Sequence, residues 1–376
     1  MVFHFPPISG GGVVVIVELA NKFAELGHEV TILTPDLEWD GEKYEPQLNK
    51  KICIEKVSTP SRSNLKIAAR RCHNNMREKG IKLGKQKNYD FILSIFHPFH
   101  LVPKAAVECG KEIQKPVLIK VDDAIYEKAK GIKKIQRRIE KMYNSKTLQN
   151  ADKVLVMNDF TKKIINEYYG VTSNRISIVT NGTDLEKYYN SKENNKRVIF
   201  SGAMYHHRGI DILLNCASKV IDQINDVEFL LLGDGPEMTK LREFVNKNNL
   251  SKNIIFKGWI QREKIPEFLA TSSIGIGPLR ITDVTKGALP IKVLEYMASS
   301  LPILAMKETL PEDILKDGIN GYAVTDSNEL AQKIIHILKN DDLREQMGEN
   351  SNKIVQKFDW KNVAESIINE FRSINS

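Results

Sequence analysis

Residues 273–305 read SIGIGPLRITDVTKGALPIKVLEYMASSLPILA: a short apolar run, a glycine-bearing loop, a helix-like stretch and a second apolar run. The runs at 273–277 and 301–305 have the length and aliphatic content of buried strands. Between them, Pro290 suits the first turn of a helix. Val293, Leu294, Met297 and Ala298 can face that helix's packing neighbours, while Lys292 and Glu295 lie three apart on one side. Near-continuous apolar strands separated by helices predict a parallel sheet covered on both faces.

The same alternation extends in both directions. In the back half it includes 197–201 (RVIFS), 227–232 (VEFLLL) and 253–257 (NIIFK), and in the front half 29–34, 91–95, 117–121, 153–157 and 176–180. Two doubly wound α/β domains fit this order best. The break is expected near Asn181-Gly182, where a strand ends in a turn dipeptide and the polar stretch 190–196 precedes the next strand. The expected domains are therefore 1–182 and 183–357. A closing helix is expected over 358–376, because Val363, Ile367 and Phe371 recur at helical spacing.

The length of 376 residues agrees with two domains, and 41% hydrophobic with 27% charged residues excludes disordered and fibrous classes. Cys53, Cys72, Cys109 and Cys216 are scattered without a CxxC pair, so the defaults are a reduced cytoplasm and no metal. The uncharged residues 1–17 are broken by Pro6, Pro7 and Gly10–Gly12, which argues against a signal peptide or a spanning helix. Lys and Arg outnumber Asp and Glu by 30 to 20 in residues 1–182, against 25 to 27 in the remainder. A basic front half points to an anionic partner or surface.

Three strand-to-helix turns are placed to meet a ligand. Ser9-Gly10-Gly11-Gly12 precedes an apolar helix whose N-terminal amides suit a phosphate, although Val15 excludes the full GxGxxG spacing. Gly202-Ala203-Met204-Tyr205-His206-His207-Arg208-Gly209 opens the back half, and Arg208 could fork onto phosphate oxygens. Gly233-Asp234-Gly235-Pro236-Glu237 is the third, and equally ordinary capping chemistry.

In their order, Gly10–Gly12, Leu26-Gly27-His28-Glu29-Val30, Asn181-Gly182-Thr183-Asp184, Gly233-Asp234-Gly235-Pro236, Glu295-Tyr296-Met297-Ala298, Asp317-Gly318-Ile319-Asn320-Gly321 and Phe358-Asp359-Trp360 make the chain resemble nucleotide-sugar glycosyltransferases of family 4, also called group 1. The resemblance implies a GT-B fold of two facing Rossmann-like domains, with the donor mostly on the second domain and a last helix returning to the first. It implies that Glu295 binds the donor ribose, that backbone near Gly258, Trp259 and Ile260 meets the base, and that Gly202 and Ile291 lie beside the donor. Arg208 and Lys292 would meet the diphosphate, and the Gly11-Gly12 turn its far side. Where the family usually carries a glutamate, an arginine and a backbone N–H donor, this chain has Gly287, Ala203 and Pro290, which leaves Lys292 as the substitute cation.

His97 resembles the family histidine that touches the donor sugar, with His100 as its alternative and a merely structural pair as a third reading. Asp122 and Asp123 follow the strand ending at Val121; they could orient an acceptor hydroxyl, hold sugar hydroxyls or cap a helix. The stretch 128–146 carries eight Lys or Arg around the stripe Ile132, Ile135, Ile139 and Met142. That pattern suits an anionic membrane or ordinary packing on the first sheet. Nucleic acid is not expected, since no aromatic platform is interleaved with the charges.

The expected activity is thus a retaining, metal-independent transfer of a sugar from a nucleoside diphosphate to a glycan or lipid-linked acceptor hydroxyl. No cofactor is expected beyond the co-substrate. The location would be cytoplasmic, with attachment to the inner face of the cell membrane as a further expectation. Rival readings are a sugar-nucleotide epimerase and a nucleotide-binding protein without turnover.

Overall fold

The computed structural model describes residues 1–374 apart from 42, 60–62, 123–131, 192–195 and 283–284, and leaves out the side chains at 66, 67, 70, 132–134 and 136. The chain forms two compact units, Met1–Asn181 with Trp360–Ser376, and Gly182–Asp359.

In the first unit, β1 (Val30–Pro35) pairs in parallel with β2 (Ile52–Val57). β3 (Ile92–Phe96), β4 (Val117–Val121), β5 (Lys153–Val156) and β6 (Ile176–Ile178) form a second parallel sheet in that order. β4 is buried at every position, as a strand covered on both faces must be. Val2–Phe5, the apolar run ahead of the Ser9–Gly12 turn, forms no strand. Those residues run between β1 and β3, where the Val2 amide donates to Leu33 O at 3.0 Å and the Met1 ammonium to Leu93 O at 2.6 Å. Pro6 and Pro7, which lack amide hydrogens, end the run before a ladder develops.

The Trp360–Arg372 helix belongs to this unit. It buries Trp360, Val363 and Ile367, stacks Phe371 on Phe91 at 4.8 Å, and receives the Ser177 hydroxyl on Glu370 at 2.6 Å.

The second unit is a six-stranded parallel sheet of β7 (Arg197–Ser201), β8 (Glu228–Leu232), β9 (Ile254–Gly258), β10 (Ile274–Ile276), β11 (Ile303–Met306) and β12 (Gly321–Val324). Its order is β12-β11-β10-β7-β8-β9. The chain runs outward from β7 through β8 to β9, then crosses back to start again at β10. The reversal point lies between β7 and β10, where an open parallel sheet leaves a crevice at its carboxyl edge. Phe200, Leu213, Phe229, Leu231, Ile276 and Leu304 fill the core around that point, and burying such a side chain contributes roughly 1.5–3 kcal/mol.

The turns at this carboxyl edge are hydrogen-bonded to one another. Gly202 N donates to Leu232 O at 2.9 Å, Gly233 N to Gly258 O at 2.7 Å, and Met204 N to Asp234 O at 2.9 Å. Gly233 has φ +125°, and a Cβ there would stand 2.2 Å from Gly202 O. Only glycine permits that conformation and that approach together.

Candidate active site

The eight-residue helix Ile291–Ala298 begins at Pro290 and brings several groups under the Gly202 turn. Tyr296 Oη accepts the Ser201 backbone N–H at 2.7 Å, which fastens this helix to the end of β7. Lys292 keeps some exposure as a residue, yet its Nζ is shut off from solvent and has no hydrogen-bond partner among the described residues. The ammonium sits 3.5 Å from the centroid of the Phe200 ring and 3.7 Å from where a Cβ on Gly202 would stand. Burial, reinforced by the Arg208 cation and opposed by Glu295, holds its pKa well below the ordinary 10.5.

Arg208 closes the one-turn His206–Arg208 helix ahead of Gly209. Beside it, His207 is pushed below its ordinary value first by burial and then by Arg208 and Lys292. Cationic groups therefore converge on one glycine turn, the environment that a diphosphate would relieve.

Glu295 is one turn beyond Lys292 and is buried. The i,i+3 spacing suggests a Lys292–Glu295 pair, but the carboxylate instead meets Arg262 Nη2 at 2.6 Å. Arg262 lies in the short Arg262–Lys264 turn just after Trp259 and Ile260, both half-buried. Nothing in the polar run Gln261-Arg262-Glu263-Lys264 distinguishes Arg262 from a surface charge, so sequence reasoning missed it. Gly202, Arg208, Ile291, Lys292 and Glu295 all belong to this edge of the second unit's sheet.

In the first unit, Gly10 (φ +145°) starts the Gly11–Glu25 helix, and a Cβ at Gly10, Gly11 or Gly12 would meet nothing within 4 Å. The Gly11 and Gly12 amides precede the first intrahelical bonds, which Val13 and Val14 make to Gly10 O. His97 follows β3, and Asp122 follows β4. Phe96 pairs with Val121, so these two emerge next to each other.

His97 and His100 stack at 4.1 Å, and His4 packs edge-on to His100 at 4.9 Å. Burial pushes His97 below its ordinary value; burial and the neighbouring imidazoles bring His4 to about 4 and His100 to about 2. All three are thus neutral near pH 7. The Phe99 backbone N–H donates to His97 Nδ1 at 3.3 Å, which puts the imidazole proton on Nε2.

Asp122 is held by Lys120, whose Nζ also donates to Asn181 Oδ1 at 2.8 Å and lies 3.4 Å from Met157 Sδ. Asp122 Oδ2 is buried with no hydrogen-bond partner among the described residues. Lys120 is fully buried, and the sequence signal for it was a lysine inside the apolar run VLIKV. Asp123 lies outside the described residues.

On the Ile132–Gln149 helix, Ile135, Ile139 and Met142 are 62%, 50% and 64% exposed. They are not core, so the packing alternative does not hold for these three. The side chain of Ile132 is outside the described residues. A cavity of about 670 Å³ in the first unit, lined by Val30, Phe23, Phe91, Ile92 and Ile368 among others, opens at the amino ends of β1 and β3. That is the end of the sheet away from His97 and Asp122, so it is separate from the groups above.

Among the described residues no group of three or more His, Cys, Asp or Glu side chains is arranged to hold a metal ion, and no helix is long and apolar enough to cross a membrane.

Two family models match the chain: "Glycosyltransferase Family 4" over residues 9–187 and "Glycosyl transferases group 1" over 183–354. A glycosyltransferase of Methanocaldococcus jannaschii is 30% identical over 214 residues, covering 56% of this chain and 57% of that one. This chain therefore matches only a little over half of that relative's length. The N-acetyl-alpha-D-glucosaminyl L-malate synthase of Bacillus anthracis is 22% identical over 98% of this chain and 94% of its own. Among solved structures, Anabaena Alr3699/HepE in complex with UDP-glucose superposes with a TM-score of 0.75 at 16% identity, covering 99% of this chain and 98% of that one. That likeness is one of fold, the GT-B arrangement.

Proposed function

Because the chain belongs to the group 1 glycosyltransferases, we propose that it transfers a sugar from a nucleoside diphosphate to an acceptor hydroxyl, with retention of configuration and without a metal ion. The observation that carries the proposal is Lys292, a buried ammonium without a hydrogen-bond partner beneath the Gly202 turn, with Arg208 as its neighbouring cation. A diphosphate over that turn would accept hydrogen bonds from Lys292 and Arg208 and neutralise both. As the bond from the anomeric carbon to the leaving oxygen breaks, negative charge grows on the diphosphate, and cations already fixed there stabilise the transition state without reorganising.

On this reading Glu295 accepts the ribose hydroxyls, and backbone at Trp259 and Ile260 meets the base. His97, neutral and protonated on Nε2, is suited to donating a hydrogen bond to a sugar hydroxyl. Asp122 has an unused oxygen suited to an acceptor hydroxyl. Retention is argued from family membership: the leaving phosphate takes the acceptor proton on the face it vacates. The Anabaena neighbour is bound to UDP-glucose, so UDP-sugars are the first donors to test, beside GDP- and dTDP-sugars.

Protection against thermal unfolding ranks the donors, and radiolabelled donor then reports the reaction. Label passing to a separate acceptor supports the proposal. A changed sugar still on the nucleotide, or binding without turnover, rejects it.

The exposed stripe of the Ile132–Gln149 helix, flanked by Arg138 and Lys141, supports attachment to an anionic lipid surface and hence a lipid-linked acceptor. Changing Ile135, Ile139 and Met142 together to serine should lower cosedimentation with phosphatidylglycerol vesicles at least about tenfold, since each buried methylene contributes about 0.8 kcal/mol to insertion. Stability should change little, because these side chains already face water. Undiminished sedimentation of the triple variant rejects membrane attachment by this helix.

A further inference from the structure

We propose that Arg262 is a positioning residue, holding the Glu295 carboxylate in the orientation that reads the ribose of the donor; this rests on the reading of Glu295 as the ribose acid. A buried carboxylate on a flexible side chain needs a fixed partner, both to offset its desolvation and to select one rotamer. The neighbour offered by helical spacing does not serve, because Lys292 lies over the Phe200 ring. Arg262 reaches in from the turn after β9 and meets Glu295 Oε1 at 2.6 Å. Oε1 lies against the guanidinium as an ion pair, with no N–H aligned on it as a hydrogen bond, and a carboxylate has about four acceptor positions, so Oε2 is the oxygen left for the ribose hydroxyls.

The position of Arg262 in the chain adds to this. Its turn follows Trp259 and Ile260 with only Gln261 between, so one short segment supplies the proposed base contacts and also fixes the ribose acid. Gly258 O, at the head of that segment, is held by Gly233 N at 2.7 Å. The sugar-ring end and the base end of a nucleoside would then be recognised by one preorganised unit. The planar guanidinium sets one Nη against Oε1 from a rigid frame that a lysine ammonium does not reproduce. Charge alone at position 262 is therefore insufficient.

The test is calorimetric binding of UDP and of 2′,3′-dideoxy-UDP to the parent, Arg262→Ala, Arg262→Lys and Glu295→Ala. The parent should prefer UDP by about 10- to 150-fold, the range for hydrogen bonds to a charged group. Arg262→Ala should reduce that preference to about threefold or less, mainly through weaker UDP binding, with dideoxy-UDP nearly unchanged. Arg262→Lys should recover only part of it.

A merely structural role would weaken both nucleotides alike and leave their ratio intact, and that outcome overturns the proposal. If Glu295→Ala keeps the parental preference, or the parent shows none, the ribose role of Glu295 fails and the proposal falls with it. Loss of preference in Glu295→Ala but not in Arg262→Ala rejects Arg262 alone. Arg262→Met, which retains the aliphatic stem, replaces the alanine variant if that protein proves unstable.

Discussion

Lys292→Met should lower glycosyl transfer by about 10²- to 10³-fold, the usual loss when a preorganised group that stabilises leaving-group charge is removed, while making the free protein more stable. The two effects have one cause. The Lys292 ammonium is enclosed without a hydrogen-bond partner and close enough to Arg208 to be repelled by it. An unsatisfied buried polar group costs about 1–3 kcal/mol, and a methionine of similar length removes that cost without leaving a large cavity.

The pH dependence follows from the depressed pKa. Below the folded-state value the lysine is protonated in both states, and the folded protein bears the full penalty. Between that value and the ordinary 10.5, only the unfolded chain is protonated, so raising the pH favours the folded parent. The stability advantage of Lys292→Met should therefore be largest at low pH and shrink as pH approaches 10.5. Denaturant titrations of both proteins across that range, beside transfer assays at neutral pH, measure both effects. Equal stabilities at neutral pH would contradict the burial argument, and unchanged transfer would remove Lys292 from the reaction.

Gly233→Ala should destabilise the protein by roughly 2–6 kcal/mol, with backbone strain and overpacking each contributing about 1–3 kcal/mol. The residue has φ +125°, and the added methyl would stand 2.2 Å from Gly202 O, a backbone atom with nowhere cheap to move. Gly202 would have to shift, and the Gly233–Gly258 hydrogen bond would go with it. Two parts of the proposed donor site move at once, so protection by UDP should disappear even in whatever fraction remains folded. Gly12→Ala is the control for stability alone, because a Cβ there meets nothing within 4 Å and the residue lies in a helix, while its place in the turn expected to meet the diphosphate keeps it out of the UDP comparison. Denaturant unfolding measures both variants, and UDP-dependent thermal shifts compare Gly233→Ala with the parent; a Gly233→Ala protein as stable as the parent would contradict the interlocked-turn account.

The dense aliphatic runs were enough to locate β1 and β3 to β11, because a strand buried on both faces has little freedom in composition. β2 was missed since its residues ICIEKV alternate with charges on a partly exposed strand, and β12 since GYAV is short and half-exposed. Local spacing also carried Glu295 only so far. It put Lys292 on the same side of the helix, but which cation meets the carboxylate depends on the turn after β9 reaching Glu295, a tertiary contact that no local pattern encodes. The Ile135-Ile139-Met142 stripe was visible as a period and ambiguous as to burial, since a core face and an exposed apolar face share one pattern. Lys120 was readable as an anomaly in an apolar strand, whereas its ties to Asp122 and Asn181 were not.

The first unit is not continuous in sequence: its body ends at Asn181 and its last helix begins at Trp360. During synthesis, that body is complete in every other respect long before the Trp360–Arg372 helix has been made, and the whole of the second unit must emerge in between. Until then Phe91, Lys153 and Ser177 lack the side chains of Phe371 and Glu370 that meet them in the finished protein. The second unit, contiguous in the chain, can fold as it leaves the ribosome, whereas the first must wait for contacts of very long sequence separation, which are slow to form. The unit whose body is made earlier is therefore the one completed later, and damage to the Trp360–Arg372 helix would be felt around Phe91, Lys153 and Ser177.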